Sequence, residues 1–69
     1  MEQNLSLYYI FHIVAEKRNI SQAAKELYIS QPAISKSISK LETNLNTILF
    51  KRNSRGVTLT AEGELLYGY

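Results

Sequence analysis

Between Asn19 and Glu42 the chain reads NISQAAKELYISQPAISKSISKLE, and its second half carries Ser35, Lys36, Ser39 and Lys40. On a helix these four positions share one side, because residues three and four apart are surface neighbours. Short hydroxyl side chains let a ligand come close to the backbone, while lysines reach towards flanking negative charge. That is the chemistry of holding a polyanion, not of breaking a bond. Catalysis has little to work with. The chain has one His, no Cys and no Asp, and four of its six Glu (Glu2, Glu16, Glu62 and Glu64) lie near its ends. Acid–base or nucleophilic catalysis needs several such groups converging in one pocket, so the sequence reads as that of a non-enzyme with no catalytic residue. His12 has no Cys or second His beside it and reads as a surface or half-buried polar residue. No metal and no cofactor is expected. Taken alone, the Ser/Lys row would serve equally well as a solvated helix face, so the elements around it must decide.

The net charge of +2 conceals an uneven distribution. All eight basic residues lie between Lys17 and Arg55, where the only acids are Glu26 and Glu42, giving that span +6. A basic middle between acidic flanks points to a polyanionic partner. Sixty-nine residues make one small domain with a modest core. Without cysteine it has no disulfide framework or thiolate metal site to stabilise it. No apolar run approaches the ~20 residues of a membrane span, and no basic-then-apolar leader opens the chain. The expectation is a soluble, cytoplasmic protein with no membrane partner.

Apolar residues at Leu7, Tyr8, Phe11, Val14 and Ala15 keep the spacing of one helix stripe between Leu5 and Lys17. Arg18 suits the negative end of that helix, and Asn19 is expected to make its left-handed stop. Ser21 is expected to cap a second helix running through Ala23, Ala24, Leu27 and Tyr28. The alanine pair would let a crossing helix approach closely. Ile29-Ser30-Gln31-Pro32 then turns the chain, with Ser30 as cap and Pro32 tolerated in the first turn of a third helix. Ile34, Ile38, Leu41 and Leu45 form its buried seam, and Asn46 is expected to close it in the left-handed region. Glu42 reads as a structural acid paired with Arg52. Two β-leaning runs, Ile48–Arg52 and Val57–Leu59, flank Asn53-Ser54-Arg55-Gly56 and predict a hairpin. Thr60 then caps a fourth helix with Glu62 in its first turn; the chain ends soon after, as though cut through that helix. Tyr8, Tyr28 and Tyr67 are expected at core edges.

Three helices followed by a two-stranded ribbon outline a mainly α fold with a small β-hairpin, a winged helix-turn-helix. In such a fold the third helix fits the DNA major groove, which admits one helix. Six blocks carry a more specific likeness: Ala23-Ala24-x-x-Leu27, Ser30-Gln31-Pro32-Ala33-x-Ser35, Ile38-x-x-Leu41-Glu42, Leu49-Phe50-x-Arg52, Arg55-Gly56-Val57 and Leu59-Thr60-x-x-Gly63. In order and spacing they resemble the DNA-binding domain of LysR-type transcriptional regulators, over nearly the whole chain from Leu7 to Leu66.

The resemblance implies a bacterial regulator that binds double-stranded DNA as a homodimer or homotetramer. It implies a winged helix-turn-helix over residues 1–59, and over 60–69 the start of a linker helix leading to an effector domain beyond this chain. A recognition helix of about 31–45 would lie in the major groove, and a wing of about 53–57 on the minor groove or backbone. Carried over residue by residue, Gln31, Pro32, Ser35 and Lys36 match positions meeting bases and backbone. Ser39 and Lys40 match flanking contacts, Ser21 and Ser30 match helix starts near phosphates, and Arg55 with Gly56 matches the wing. The fragment itself is expected to be monomeric. Two departures stand out. Asn46 replaces the usual Gly after the third helix, and Lys36 and Lys40 replace Arg or Gln. Lys lacks the fork with which Arg reads guanine. The competing reading is a winged-helix protein-interaction module without DNA binding. Such a module would show apolar or acidic residues where this chain shows Ser and Lys.

Overall fold

The computed structural model describes residues 6–54 and 56–68. Its elements run α1 (Leu7–Lys17), α2 (Ile20–Leu27), α3 (Gln31–Leu45), β1 (Phe50–Asn53), β2 (Gly56–Leu59) and α4 (Ala61–Tyr67). The three long helices pack pairwise on one another, and the two strands form an antiparallel hairpin, pairing Phe50 with Leu59 and Arg52 with Val57. This is the winged helix-turn-helix expected from the order of patterns.

Each helix starts on a side chain that accepts a hydrogen bond from an otherwise unpartnered backbone N–H. Ser6 accepts from Tyr8, Ser30 from Ala33 and Thr60 from Gly63. The cap of α2 is Asn19, whose Oδ1 accepts from the N–H of Gln22 at 3.0 Å. The expected cap, Ser21, lies one residue inside the helix instead. Consequently the left-handed stop of α1 falls on Arg18 (φ 54°) rather than on Asn19, which is extended. Asn19 cannot do both, and its short carbonyl side chain is worth more as a cap. Helix α2 also ends one residue early: Tyr28 is its left-handed C-cap (φ 58°). Asn46 closes α3 in the left-handed region, as its type suggests.

The core gathers where the three helices meet. Val14, Ala23 and Ile34 are fully buried, and Ala23 and Ala24 let α2 lie close to its neighbours. The stripe of α1 is rotated from the one expected: Ile10 and Ile13 are buried with Phe11, Val14 and Ala15, whereas Tyr8 is about half exposed at 51%. A helix tucked against two others buries a wider arc than a single narrow stripe, and wholly apolar side chains outcompete the polar-tipped phenol for it. Of the α3 seam, Ile34, Ile38 and Leu41 are buried, but Leu45, in the last turn, is exposed beside Leu65 and Leu66 of α4. Tyr28 is 94% exposed and is no core-edge residue, while Tyr67 does pack partly buried against Phe11, ring edge to face.

Two side chains lock the hairpin and α4 onto α3. Glu42 forms no ion pair with Arg52, which is exposed. Its Oε2 accepts from the backbone N–H of Leu49 at 2.8 Å and of Phe50 at 3.3 Å. A charge-assisted bond to two amides holds the entry to β1 more rigidly than a long, solvated guanidinium would. Thr60 donates its hydroxyl to the Ile48 carbonyl at 2.7 Å, while its own N–H reaches the Leu49 carbonyl at 3.0 Å. Gly63 completes this junction: a Cβ there would overlap the Leu49 carbonyl oxygen.

Candidate nucleic-acid interface

Helix α3 has two faces because its apolar residues recur at helical spacing. With Ile34, Ile38 and Leu41 turned inward, Pro32, Lys36, Ser39, Lys40 and Thr43 lie exposed on the opposite side, three to four residues apart. Gln31 is exposed at the N-terminus of the helix beside the Ser30 cap. Ser35 is half-buried, on the flank of the exposed row. Pro32 lies in the first turn, where a missing N–H costs no helix bond, so the chain enters α3 without disturbing its exposed face.

The pair α2–α3 is joined by Tyr28, Ile29 and Ser30, and α2 packs on both α1 and α3. This leaves the N-terminal half of α3 uncovered at one side of the molecule. Ser21 is half-buried in the first turn of α2. Gly56 opens β2 with φ 137°, a conformation few other residues adopt, and a Cβ there would come within 2.6 Å of the Arg18 carbonyl oxygen. Arg55, the expected wing contact, lies outside the described residues.

The structure therefore brings Gln31, Pro32, Lys36, Ser39 and Lys40 onto one solvent-facing surface, with Ser30 at its start. Ser21 and Gly56 sit on other elements. Two basic residues were missed as surface features. Lys51 lies opposite Thr58 on the outer face of the hairpin, and Arg18 lies beside the hairpin's turn end. Strict alternation from the buried Phe50 could have placed Lys51 outward. Arg18 had no local signal, since its neighbours there are Asn53, Ser54, Val57 and Thr58. Among the described residues, no group of three or more His, Cys, Asp or Glu could hold a metal ion, and no helix is long and apolar enough to cross a membrane.

An exposed, Ser- and Lys-lined helix beside a ribbon suits a duplex: the helix is narrow enough for the major groove, and its cations face outward. The family model described as "Bacterial regulatory helix-turn-helix protein, lysR family" matches residues 5–64. The chain is 53% identical over 53 residues to the HTH-type transcriptional regulator ClcR of Pseudomonas putida, covering 77% of this chain and 18% of that protein. To BudR of Klebsiella aerogenes, another HTH-type transcriptional regulator, it is 49% identical over 57 residues, covering 83% of this chain and 40% of that one. The chain thus spans well under half the length of these relatives. Among solved structures, a BenM DBD complex with catB site 1 DNA superposes with a TM-score of 0.89 at 37% identity, covering 97% of this chain and 74% of that one. A CbnR DBD–DNA complex also superposes with a TM-score of 0.89, at 36% identity, covering 96% of this chain and 76% of that one.

Proposed function

The chain belongs to the bacterial regulatory helix-turn-helix proteins of the lysR family, and from that premise we propose that it is the domain with which a transcription regulator binds double-stranded DNA sequence-specifically. The observation that carries this reading is the exposed face of α3, where Pro32, Lys36, Ser39 and Lys40 form one row with Gln31 at its head. Helix α3 lies in the major groove with its N-terminal end at the base edges. Gln31, Pro32 and Ser35 meet bases there, while Lys36, Ser39 and Lys40 reach bases or flanking phosphates. Ser21 and Ser30 approach phosphates at the starts of α2 and α3. The wing, with Arg55 and Gly56, follows the adjacent minor groove or backbone. The DNA complexes of the BenM and CbnR domains, at 36–37% identity, support the same docking here.

In the whole regulator, α4 is the beginning of a linker helix that joins two copies as a homodimer, or four as a homotetramer. The protein acts in the cytoplasm, where bacterial DNA is, and it carries out no chemistry of its own. The test is a titration of labelled duplex with this chain at increasing salt. The logarithm of affinity should fall steeply and linearly with the logarithm of salt concentration, by about 0.9 per phosphate neutralised. Binding that is flat in salt would overturn the proposal and favour a protein-interaction module.

A further inference from the structure

Beside the turn end of the hairpin lies an arginine that the α3 reading leaves unused. Arg18 ends α1 in the left-handed region, with its N–H bonded to the Val14 carbonyl at 2.7 Å and its own carbonyl accepting from Val57 at 3.4 Å. Gly56 keeps that approach open, because any Cβ there would press on the same carbonyl. The junction between α1 and α2 is thereby tied to the second strand of the wing. Arg18 lines an open cleft with Asn53, Ser54, Val57 and Thr58.

Several properties of this cleft point to an anionic polymer. Arg18 is exposed and has no carboxylate partner among the described residues, whereas the neighbouring Lys17 lies 3.9 Å from Glu26. The hydroxyl-bearing Ser54 and Thr58 are exposed on the hairpin, and Lys51 stands directly across the ladder from Thr58, adding a second cation to the same outer face. The cleft's volume of about 460 Å³ would admit a small ligand, but it is wide open and has no apolar enclosure. A group held there must be kept in place by attachment to something larger. The wing expected to follow the duplex beside α3 supplies that geometry, since the cleft lies at its turn end and so along the backbone that the wing follows.

We propose that the cleft between Arg18 and the turn end of the hairpin seats a backbone phosphate of the bound duplex, so that Arg18, at the end of α1, adds a contact beyond those of α3 and Arg55. This rests on the DNA-binding reading. Arg18 supplies charge, Ser54 and Thr58 supply hydroxyl donors, and none of them reads a base.

Arg18→Gly tests the proposal cleanly, because glycine takes the left-handed backbone of this position without the penalty of a Cβ. The measurement is affinity for a short mixed-sequence duplex across a salt series, with Arg18→Gly, Thr58→Glu and Lys36→Ala beside the parent chain and thermal melting as the check on folding. Arg18→Gly should weaken binding several-fold at low salt and reduce the salt slope by about one, with the ranking of duplex sequences unchanged. Thr58→Glu, which places a negative charge in the cleft, should weaken binding at least as much. If both variants keep the parent's affinity and slope while Lys36→Ala lowers them, the cleft holds no phosphate and the proposal falls, with DNA binding by α3 intact. If the parent chain itself shows no salt-dependent binding, the DNA-binding reading fails and the cleft proposal with it.

Discussion

On the proposed docking, Ser, Lys and Gln on α3 would divide the labour of binding by what each side chain can distinguish. A backbone phosphate presents the same charge in every duplex, so Lys36 seated on one would add affinity without preference. The amide of Gln31, at the exposed head of the helix, has both donor and acceptor and suits the edge of adenine. Lys36→Ala should therefore weaken binding to all duplexes alike and lower the salt slope by about one. Gln31→Ala should instead reduce discrimination between the preferred and altered sites by roughly 1–3 kcal/mol. Competition binding with two duplexes at several salt concentrations separates the two effects. Equal behaviour of the two variants would show the division to be wrong. Residue type also explains how the helices stop. Arg18, Tyr28 and Asn46 all adopt positive φ, and only asparagine does so readily. The other two accept a cost of about 1–2 kcal/mol each, which the packed helices on either side impose on them.

At the scale of elements, the positions of α3, the hairpin and α4 depend on a few bonds around Leu49. Glu42 binds the amides of Leu49 and Phe50 from α3, and Thr60 binds the carbonyl of Ile48 and reaches the carbonyl of Leu49 from the start of α4. Gly63 is buried against that same Leu49 carbonyl. Helix propensity alone predicts that Gly63→Ala would stabilise α4 by about 1 kcal/mol. Overlap with the backbone predicts the reverse sign, a loss of about 1–3 kcal/mol. For a domain of this size each kcal/mol moves the melting temperature by roughly 4–8 °C, so thermal melting decides between them. Gly68→Ala is the matched control, since a Cβ there meets its nearest neighbour at an ordinary 3.4 Å. It should leave the melting temperature nearly unchanged.

The whole molecule is a small basic body, 35 × 26 × 19 Å, with 4812 Å² of surface. A stable protein–protein interface buries about 800 Å² on each partner, which here would be about a sixth of that surface. The large apolar side chains left exposed towards the end of α3 and on α4 are Leu45, Ile48 and Leu65, too few to fill such a patch. The 69-residue chain should accordingly sediment as a monomer of about 7.9 kDa over the micromolar range. A concentration-dependent shift to twice that mass would contradict this. As a monomer it should bind one half-site weakly, and fusing it to an unrelated dimerising segment should raise affinity for a paired site through effective concentration.

Much of this architecture is determined locally and is legible in the sequence for that reason. A cap, a proline in a first turn, a left-handed asparagine and an apolar seam each act within one or two turns of helix. Ser30, Pro32, Asn46, Thr60 and the Ile34–Ile38–Leu41 seam fall where their types place them. The exposed face of α3 follows from that seam, since a helix with one side buried must show the other. What required the tertiary structure involves partners far along the chain or a choice among competing neighbours. Asn19 rather than Ser21 caps α2 because the same few residues must also end α1. Glu42 binds amides seven and eight residues away instead of Arg52, because the turn after α3 delivers those N–H groups to its carboxylate. Arg18 meets the hairpin only once the chain has folded back on itself, some forty residues later. Sequence alone determined the exposed face of α3 and the order of elements around it. Packing decided which cations share a surface, because that depends on where distant backbone segments come to rest.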